Sequence, residues 1–248
     1  MDRQHFTIRL ADLTIRVAGD FAYPESCRSR CKDYLIEDTE PDLAVAVTEE
    51  EIMEQCRQNQ EFTREYLEYL CIHRAIAEKL PYHHRLVFHG AVITYKEKCM
   101  LFTAPSGTGK TTHISLWRKY LGKDVDIVNG DKPMLWVDDE GAIAYGTPWC
   151  GKEGWQKNRK ARLSAICFVR RSEVPKIRRA GPVECLEPLM HQVFLPLADA
   201  EGAGHTLEDL DRLVSEVPLY ILECNISEES VKCAFEEMVG KSYPGKEV

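Results

Sequence analysis

The 248-residue sequence has no apolar run that approaches the roughly 20 residues needed to cross a bilayer as a helix. Its opening letters, MDRQHFTIRL, lack the charged-then-apolar order of a secretory signal. The sequence also lacks a basic excess, because 32 lysines and arginines face 40 aspartates and glutamates, for a formal net charge of -8. Nucleic-acid-binding proteins normally carry a basic surface. We therefore expect a cytoplasmic protein whose partners include neither a membrane nor a nucleic acid.

The ten cysteines include no C-x-x-C pair. Several lie inside apolar runs, such as Cys99 in KCMLF and Cys167 in AICFV, where a reduced thiol behaves as a small hydrophobic side chain. Cys27 and Cys31 could share a helix face and bind a metal, although a second pair of ligands is not evident. We expect free, mostly buried thiols.

The first third of the chain carries no catalytic pattern. Residues 6–18 (FTIRLADLTIRVA) alternate apolar and polar positions, which predicts a β-hairpin or two short strands, and residues 42–48 predict another strand. A long helical stretch spans residues 49–80 and is ended by Pro81. We therefore expect residues 1–84 to form a small N-terminal α+β cap packed on the rest of the chain.

Residues 85–248 are expected to form the core of an α/β (α+β) protein. LVFHGAVITY predicts one strand, CMLFT a second, and a helix is expected from Thr111 to about Leu121, where Gly122 ends it. VDIVNGD predicts a strand with a polar end, MLWVDDEGAIAY a hairpin, and ARLSAICFVRR another strand. The last third alternates helices (VECLEPLMHQVF, TLEDLDRLVSEV, SEESVKCAFEEMV) with the strand LYILEC.

The loop APSGTGK lies between a predicted strand and a predicted helix. Such a turn directs backbone N–H groups inward, and the helix dipole adds positive potential at the same point. Glycine permits the close approach and the positive φ angles that wrapping a β-phosphate requires. Ala104 stands where the usual pattern has its first glycine. Alanine followed by Pro105 can still make the tight turn if φ at Ala104 stays negative. The residues predicted to bind a nucleotide are Ser106, Gly107, Thr108, Gly109, Lys110, Thr111 and Thr112, with the Thr111 hydroxyl on Mg²⁺.

Phosphoryl transfer also needs a carboxylate near the γ-phosphate, to hold the metal or to take the acceptor's proton. Asp131, at the end of DIVNGD, is the candidate, because a parallel strand beside the loop strand would deliver its end next to the loop. The alternative is an aspartate in a surface turn. His89 lies in HGAVITY, the predicted strand just before the loop strand. It is interpreted either as a core residue whose hydrogen bonds are satisfied, or as a residue that hydrogen-bonds Asp131 or a phosphate oxygen.

The segment TPWCGKEGWQKNRK is the densest basic patch of this acidic chain and contains two tryptophans. It could clamp phosphates or an acidic substrate, with Lys152 as the most useful residue. The alternative is a solvated loop in which Trp149 and Trp155 fill the core.

At these residues the chain resembles the superfamily of HPr kinase/phosphorylase and ATP-dependent phosphoenolpyruvate carboxykinase. The likeness rests on His89-Gly90 opening a strand, on the SGTGKTTH loop and on the NGD strand end. The loop is more similar to the carboxykinase version, whereas HGAV and the short chain are more similar to HPr kinase. The combination of FTAPSGTGKTTHISLW, VNGDKP and GTPWCGKEG resembles HPr-kinase-like proteins of anaerobic bacteria.

The resemblance implies a nucleotide-binding core with a mixed sheet, the use of ATP and Mg²⁺, and a role for Asp131 in phosphoryl transfer as metal partner or base. Both named families carry two adjacent acidic residues at this strand end. Here the neighbours of Asp131 are Gly130 and Lys132, so that one carboxylate is missing.

We therefore predict an ATP- and Mg²⁺-dependent kinase that transfers the γ-phosphate to a hydroxyl of a small molecule, a peptide or a protein serine. Its predicted catalytic residues are Asp131, Lys110, His89 and Lys152, and its predicted metal-binding residues are Thr111 and Asp131. One alternative is a nucleotide-binding regulatory or accessory protein without phosphotransfer, which the single carboxylate favours. A second is a carboxykinase-like lyase, which would need further metal ligands. The sequence leaves the acceptor and any homo-oligomer open.

Overall fold

The computed structural model describes residues 4–245, except for the side chain of Gln4. By its internal contacts the chain divides into two compact units, one up to His83 and one from His84 onwards. No helix in the described part of the chain is both long and apolar enough to span a membrane. That the first unit serves as a cap stays a prediction.

The first unit combines a four-stranded sheet, in the order β3-β1-β2-β4, with three α-helices among the described residues. Ala11 and Asp12, both with positive φ, make the turn between the first two strands, which confirms the predicted hairpin. Its elements are β1 (Gln4–Leu10), β2 (Leu13–Gly19), α1 (Pro24–Arg30), β3 (Leu35–Ile36), β4 (Leu43–Val47), α2 (Glu49–Gln58) and α3 (Arg64–Lys79).

The single long helix predicted over residues 49–80 is wrong, because α2 ends at Gln58 and α3 begins at Arg64. Thr63 supplies the physical reason, since its hydroxyl accepts the Tyr66 N–H and caps a new helix start. Cys27 and Cys31 lie buried on and just after α1, and burial raises the pKa of both thiols to about 12. That shift disfavours the thiolate form that a metal requires.

The second unit is built on a nine-stranded mixed sheet with four α-helices among the described residues. Its elements are β5 (Arg85–Val87), β6 (Gly90–Tyr95), β7 (Lys98–Thr103), α4 (Lys110–Leu121), β8 (Val125–Asn129), β9 (Met134–Asp138), β10 (Gly141–Tyr145), β11 (Lys160–Arg171), β12 (Lys176–Ala180), α5 (Pro182–Met190), α6 (Ala200–Glu216), β13 (Leu219–Cys224) and α7 (Glu228–Val239).

The strand order places several chain reversals at one edge of this sheet. It runs β5-β9-β10-β11-β7-β6-β8, and β13 pairs with β11 on one side and β12 on the other. Strand β7 is parallel to β11 and antiparallel to β6, which in turn is antiparallel to β8. The ends of β7 and β8 and the start of β6 therefore share one edge. The mixed α/β architecture agrees with the fold class expected from the sequence.

Each face of the sheet has its own hydrophobic core. On one face α4 and α7 pack with Phe102, Trp117 and Phe235, which are fully buried or nearly so. On the other face α5 and α6 pack through Leu189 and Leu213, among others. Because β7 is buried on both faces, it forms a continuous apolar run in the sequence.

The prediction of one strand over LVFHGAVITY is wrong. The chain forms β5, which pairs with β9, and then a separate β6, which lies between β7 and β8. Between them the Phe88 N–H donates to the Pro133 carbonyl and the His89 N–H to the Gln192 carbonyl. Because of these two long-range hydrogen bonds, Phe88 and His89 belong neither to β5 nor to β6.

Candidate functional site

The glycine-rich loop leaves β7 after Thr103 and enters α4 at Lys110. Gly107 and Gly109 have φ angles of 77° and 118°, in the region that disfavours any residue with a Cβ. Ala104 is buried and is not among the positive-φ residues, so an alanine serves at this position. The loop therefore needs glycine at two of its positions and not at the third.

The loop presents unpaired backbone donors. The N–H groups of Gly107, Gly109 and Thr111 donate to no group in residues 4–245, and no side chain caps the start of α4. Arg171, at the end of β11, binds the carbonyls of the loop. Its Nε donates to the Thr108 carbonyl at 3.0 Å and its Nη2 to the Gly107 carbonyl at 2.6 Å. With two carbonyls bound to Arg171 and three N–H groups unpaired within the described residues, the loop and helix start have the arrangement of donors that binds anions in other proteins.

Lys110, the first residue of α4, is 8% exposed. Its Nζ donates to the Ala104 carbonyl at 3.1 Å and lies 3.1 Å from His89 Nε2. Burial lowers the pKa of the Lys110 ammonium, the Asp131 carboxylate acts in the opposite direction, and Lys132 lowers it further. The lysine is therefore positioned before any ligand binds.

His89 joins the loop to its neighbours. Its Nδ1 lies 3.0 Å from Gln192 Oε1, and its Nε2 lies 3.5 Å from Asp131 Oδ1. The Thr103 hydroxyl donates to the His89 carbonyl at 2.8 Å, which ties the histidine to the end of β7. Burial lowers the pKa of the imidazole, and Lys132 and Lys110 lower it further, while Asp131 and Gln192 act in the opposite direction; the net shift favours the neutral form.

Asp131 comes just after β8 and lies at the same edge of the sheet, although β8 is not the immediate neighbour of β7. Strand β6 lies between them, and its antiparallel direction brings His89 into the gap. The Gly90 N–H donates to the Asp131 carbonyl at 2.9 Å. The expectation that a strand end would deliver Asp131 beside the loop therefore needs a correction, namely one intervening antiparallel strand.

The turn that carries Asp131 is shaped by Asn129, whose side chain is fully buried. Asn129 Oδ1 accepts the N–H groups of Asp131 and Lys132 at 2.9 and 2.8 Å. Its Nδ2 donates to the carbonyl and hydroxyl oxygens of Thr147, both at 3.1 Å. This is the Asx-turn chemistry of asparagine, used here to fix the only carboxylate that faces His89 among the described residues.

The loop after β10 surrounds the same turn. The Gly130 N–H donates to the Trp155 carbonyl at 2.8 Å, and the Lys132 N–H also approaches the Trp149 carbonyl at 3.2 Å. A Cβ at Gly130 would lie 3.1 Å from the Cys150 carbonyl oxygen, which explains a glycine beside Asp131. Trp149 is buried and Trp155 is half-buried against the core, as one of the two alternatives for this segment anticipates.

The basic residues of this loop have different roles. Lys157 and Arg159 both form ion pairs with Asp126, so their charges face a carboxylate of β8. Lys152 is exposed and has no ion pair or hydrogen bond within the described residues. It comes after Gly151, where a Cβ would lie 3.2 Å from Asp131 Cβ. The backbone at Lys152 is therefore near Asp131, while its side chain is not part of the Lys110–His89–Asp131 cluster.

Two cavities flank the loop. One of about 870 Å³ borders Pro105, Ser106, Phe168, Pro188 and Gln192. The other, of about 650 Å³, borders the start of α4 and the ends of β11 and β13, including Thr112, Leu116 and Asn225. Both volumes fall in the range of small-molecule sites.

Thr111, in the first turn of α4, and Asp131, just after β8, each carry an oxygen of the type that Mg²⁺ prefers. Residues 4–245 contain no cluster of three or more His, Cys, Asp or Glu side chains that could hold a metal. Magnesium is commonly held by one or two protein oxygens together with phosphate oxygens and water. Thr111 and Asp131 would supply the protein oxygens of such a site, with the remaining ligands coming from phosphate and water.

Sequence reasoning missed three residues of this arrangement: Asn129, Arg171 and Gln192. Asn129 carries a local signal, because Asn-Gly-Asp after a strand favours an Asx turn. Arg171 and Gln192 carry none, since each reaches the site from a distant part of the chain.

Comparison with known proteins gives a distant likeness only. No family model matches the chain, and no curated protein matches it. Among solved structures, the Hpr(Ser) kinase/phosphatase from Coxiella burnetii is similar with a TM-score of 0.35 and 11% sequence identity, over 62% of this chain and 93% of that chain.

Proposed function

We propose that the protein is an ATP- and Mg²⁺-dependent kinase that phosphorylates a hydroxyl group. One observation carries the proposal: Lys110 Nζ, His89 Nε2 and Asp131 Oδ1 meet within 3.1 and 3.5 Å beside a loop of unpaired N–H groups. A phosphate chain at that loop would have Lys110 on its oxygens and a carboxylate facing its end.

In this proposal the loop N–H groups and Lys110 hold the β- and γ-phosphates. Thr111 would hold the magnesium ion directly and Asp131 would hold it through a bound water, which leaves a carboxylate oxygen for the acceptor proton. The ion supplies charge neutralisation on the phosphate oxygens when bound. The cavity beside Thr112 and Leu116 lies toward the α-phosphate end of the loop and takes the nucleoside. The cavity beside Ser106 and Gln192 lies toward the γ-phosphate end and takes the acceptor.

The reaction forms a bond between the acceptor oxygen and the γ-phosphorus and breaks the bond to the β–γ bridging oxygen. The hydroxyl proton passes to Asp131, and ADP leaves with the electron pair of the broken bond. Catalysis then comes mainly from positioning and from charge stabilisation by Lys110 and the loop dipoles. Exposed Lys152 could approach the acceptor from the loop beside Asp131.

The test is acceptor-dependent ADP release by the full-length protein with ATP and Mg²⁺, against hydroxyl-bearing metabolites and serine peptides. Lys110→Ala should lower turnover at least about 100-fold, because a preorganised cationic donor is lost. Asp131→Asn should retain ATP binding and lose turnover. Lys119→Ala, on an exposed position of the same helix, is the matched control and should turn over like wild type.

Unchanged turnover in Lys110→Ala would refute the assignment. A second candidate function is nucleotide binding without phosphotransfer, favoured by the single carboxylate at the strand end. It predicts ATP binding that Lys110→Ala removes, together with no ADP release for any acceptor.

A further inference from the structure

Gln192 borders the cavity proposed for the acceptor, and it is also hydrogen-bonded to His89 at the centre of the site. It is buried two residues after α5 ends. Its backbone carbonyl accepts the His89 N–H at 2.6 Å, and its side-chain Oε1 lies 3.0 Å from His89 Nδ1. Gln192 therefore binds His89 twice, through its own backbone at the His89 N–H just before β6 and through its side chain at the imidazole ring.

The protonation pattern of this chain of contacts depends on Lys110. An ammonium group has only donors, so at the 3.1 Å contact His89 Nε2 must be the acceptor. A neutral imidazole with a lone pair on Nε2 carries its proton on Nδ1. Nδ1–H then donates to Gln192, which must present its amide oxygen and not its NH₂ group.

We propose that Gln192 is a positioning residue that fixes the Nδ1–H tautomer of His89 and so keeps the Nε2 lone pair toward Lys110 and Asp131. In this tautomer His89 accepts from Lys110 and cannot donate to Asp131 Oδ1, 3.5 Å away. The carboxylate therefore keeps its acceptor capacity for a hydroxyl proton or a metal. The opposite tautomer would donate to Asp131 and turn an N–H toward the lysine.

The groups facing the His89 ring are Lys110 from α4, Asp131 and Lys132 from the turn after β8, and Gln192 from the segment after α5. Of these, only Gln192 and Asp131 can accept a hydrogen bond from a ring N–H, Gln192 from Nδ1 and Asp131 from Nε2. Gln192 therefore acts together with Lys110 in favouring the Nδ1–H tautomer, because without its oxygen the Nδ1–H group has no acceptor within the described residues. Its catalytic consequence rests on the proposed kinase function, whereas the tautomer itself does not.

The test is ¹⁵N NMR of the full-length protein labelled at histidine, at about pH 8, above the ordinary imidazole range. The His89 signals are identified among the eight histidines by their loss in His89→Asn. Wild type should show a protonated Nδ1 and an unprotonated Nε2. Gln192→Met, which has a similar length and no amide, should shift the ring toward Nε2–H. Gln192→Glu keeps an acceptor oxygen and should retain Nδ1–H.

Gln58→Met, at an exposed position of α2, makes the same chemical change away from the site and should leave the His89 signals unchanged. Turnover, where present, should fall about tenfold in Gln192→Met and recover in Gln192→Glu. A wild-type ring protonated on Nε2, or an unchanged ring in Gln192→Met, overturns the proposal without any reference to activity. A shifted tautomer in a protein that never turns over ATP supports this proposal and refutes the kinase.

Discussion

Replacing His113 with glutamine should remove a defined part of the pH dependence of unfolding of the second unit. His113 is 2% exposed on α4, its Nε2 accepts the Trp117 Nε1–H at 3.0 Å, and its Nδ1 has no hydrogen-bond partner in the described part of the chain. Burial lowers the pKa of this imidazole from 6.5 to about 4. The folded state therefore excludes a proton that the unfolded state binds.

The sign of the effect is set by linkage. Above pH 6.5 the imidazole is neutral in both the folded and the unfolded state, so it does not change the free energy of unfolding. Below pH 6.5 the unfolded state binds a proton that the folded state does not bind, which stabilises the unfolded state. One pH unit of such linkage is worth about 1.4 kcal/mol, so this residue should destabilise the protein by about 3 kcal/mol as the pH falls from 6.5 to about 4.

Urea unfolding followed by tryptophan fluorescence isolates the effect, because all four tryptophans lie in the second unit. At pH 7.5, His113→Gln should be less stable than wild type by about 1 kcal/mol through a poorer bond to Trp117. By pH 4.5 the order should reverse, because only wild type has lost about 2–3 kcal/mol. Exposed His191→Gln is the control. A constant difference between wild type and His113→Gln across this range would refute the reasoning.

Two further perturbations test the loop and the turn. Gly109→Ala, at φ 118°, should destabilise the second unit by about 1–2 kcal/mol and abolish ATP binding in a fluorescent-nucleotide titration, whereas Gly204→Ala, in helix α6 with open space around it, should stabilise by about 0.5–1 kcal/mol. A tolerated Gly109→Ala would contradict the loop argument. Asn129→Leu should cost about 2–4 kcal/mol in urea unfolding, because the Asp131 N–H loses its acceptor, and equal stability to wild type would show that the turn holds itself.

Local patterns in the sequence were sufficient to predict most elements of the second unit. Strands that are buried on both faces form apolar runs, and Gly122 marks the end of a helix. These patterns failed where distant partners decide. LVFHGAVITY is apolar throughout, and only the bonds of Phe88 and His89 to Pro133 and Gln192 split it into two strands. Likewise VECLEPLMHQVF predicts one helix, whereas α5 ends at Met190 and leaves Gln192 to reach His89.

The candidate site divides in the same way. The loop is local, and its two positive-φ glycines stand where the pattern predicts them. The meeting of Lys110, His89 and Asp131 depends on strand order, because β6 inserts between β7 and β8, and no periodicity encodes that order. The exposed Lys152 shows the limit of composition, since a basic segment indicates charge and not the direction in which each side chain points.

The charges around His89 come from two lysines and one aspartate. Burial lowers the pKa of Lys110, of Lys132 and of His89, and the single carboxylate of Asp131 acts against this for all three. Two ammonium groups and one carboxylate leave this edge with an excess of positive charge held partly out of water, which is costly without a counter-charge. In the proposed kinase a triphosphate would supply that counter-charge, and Lys132 would face its phosphate oxygens together with Lys110. The same lysine is compatible with one-metal phosphotransfer and with nucleotide binding alone, and the difference between them lies in whether Asp131 receives a proton from an acceptor.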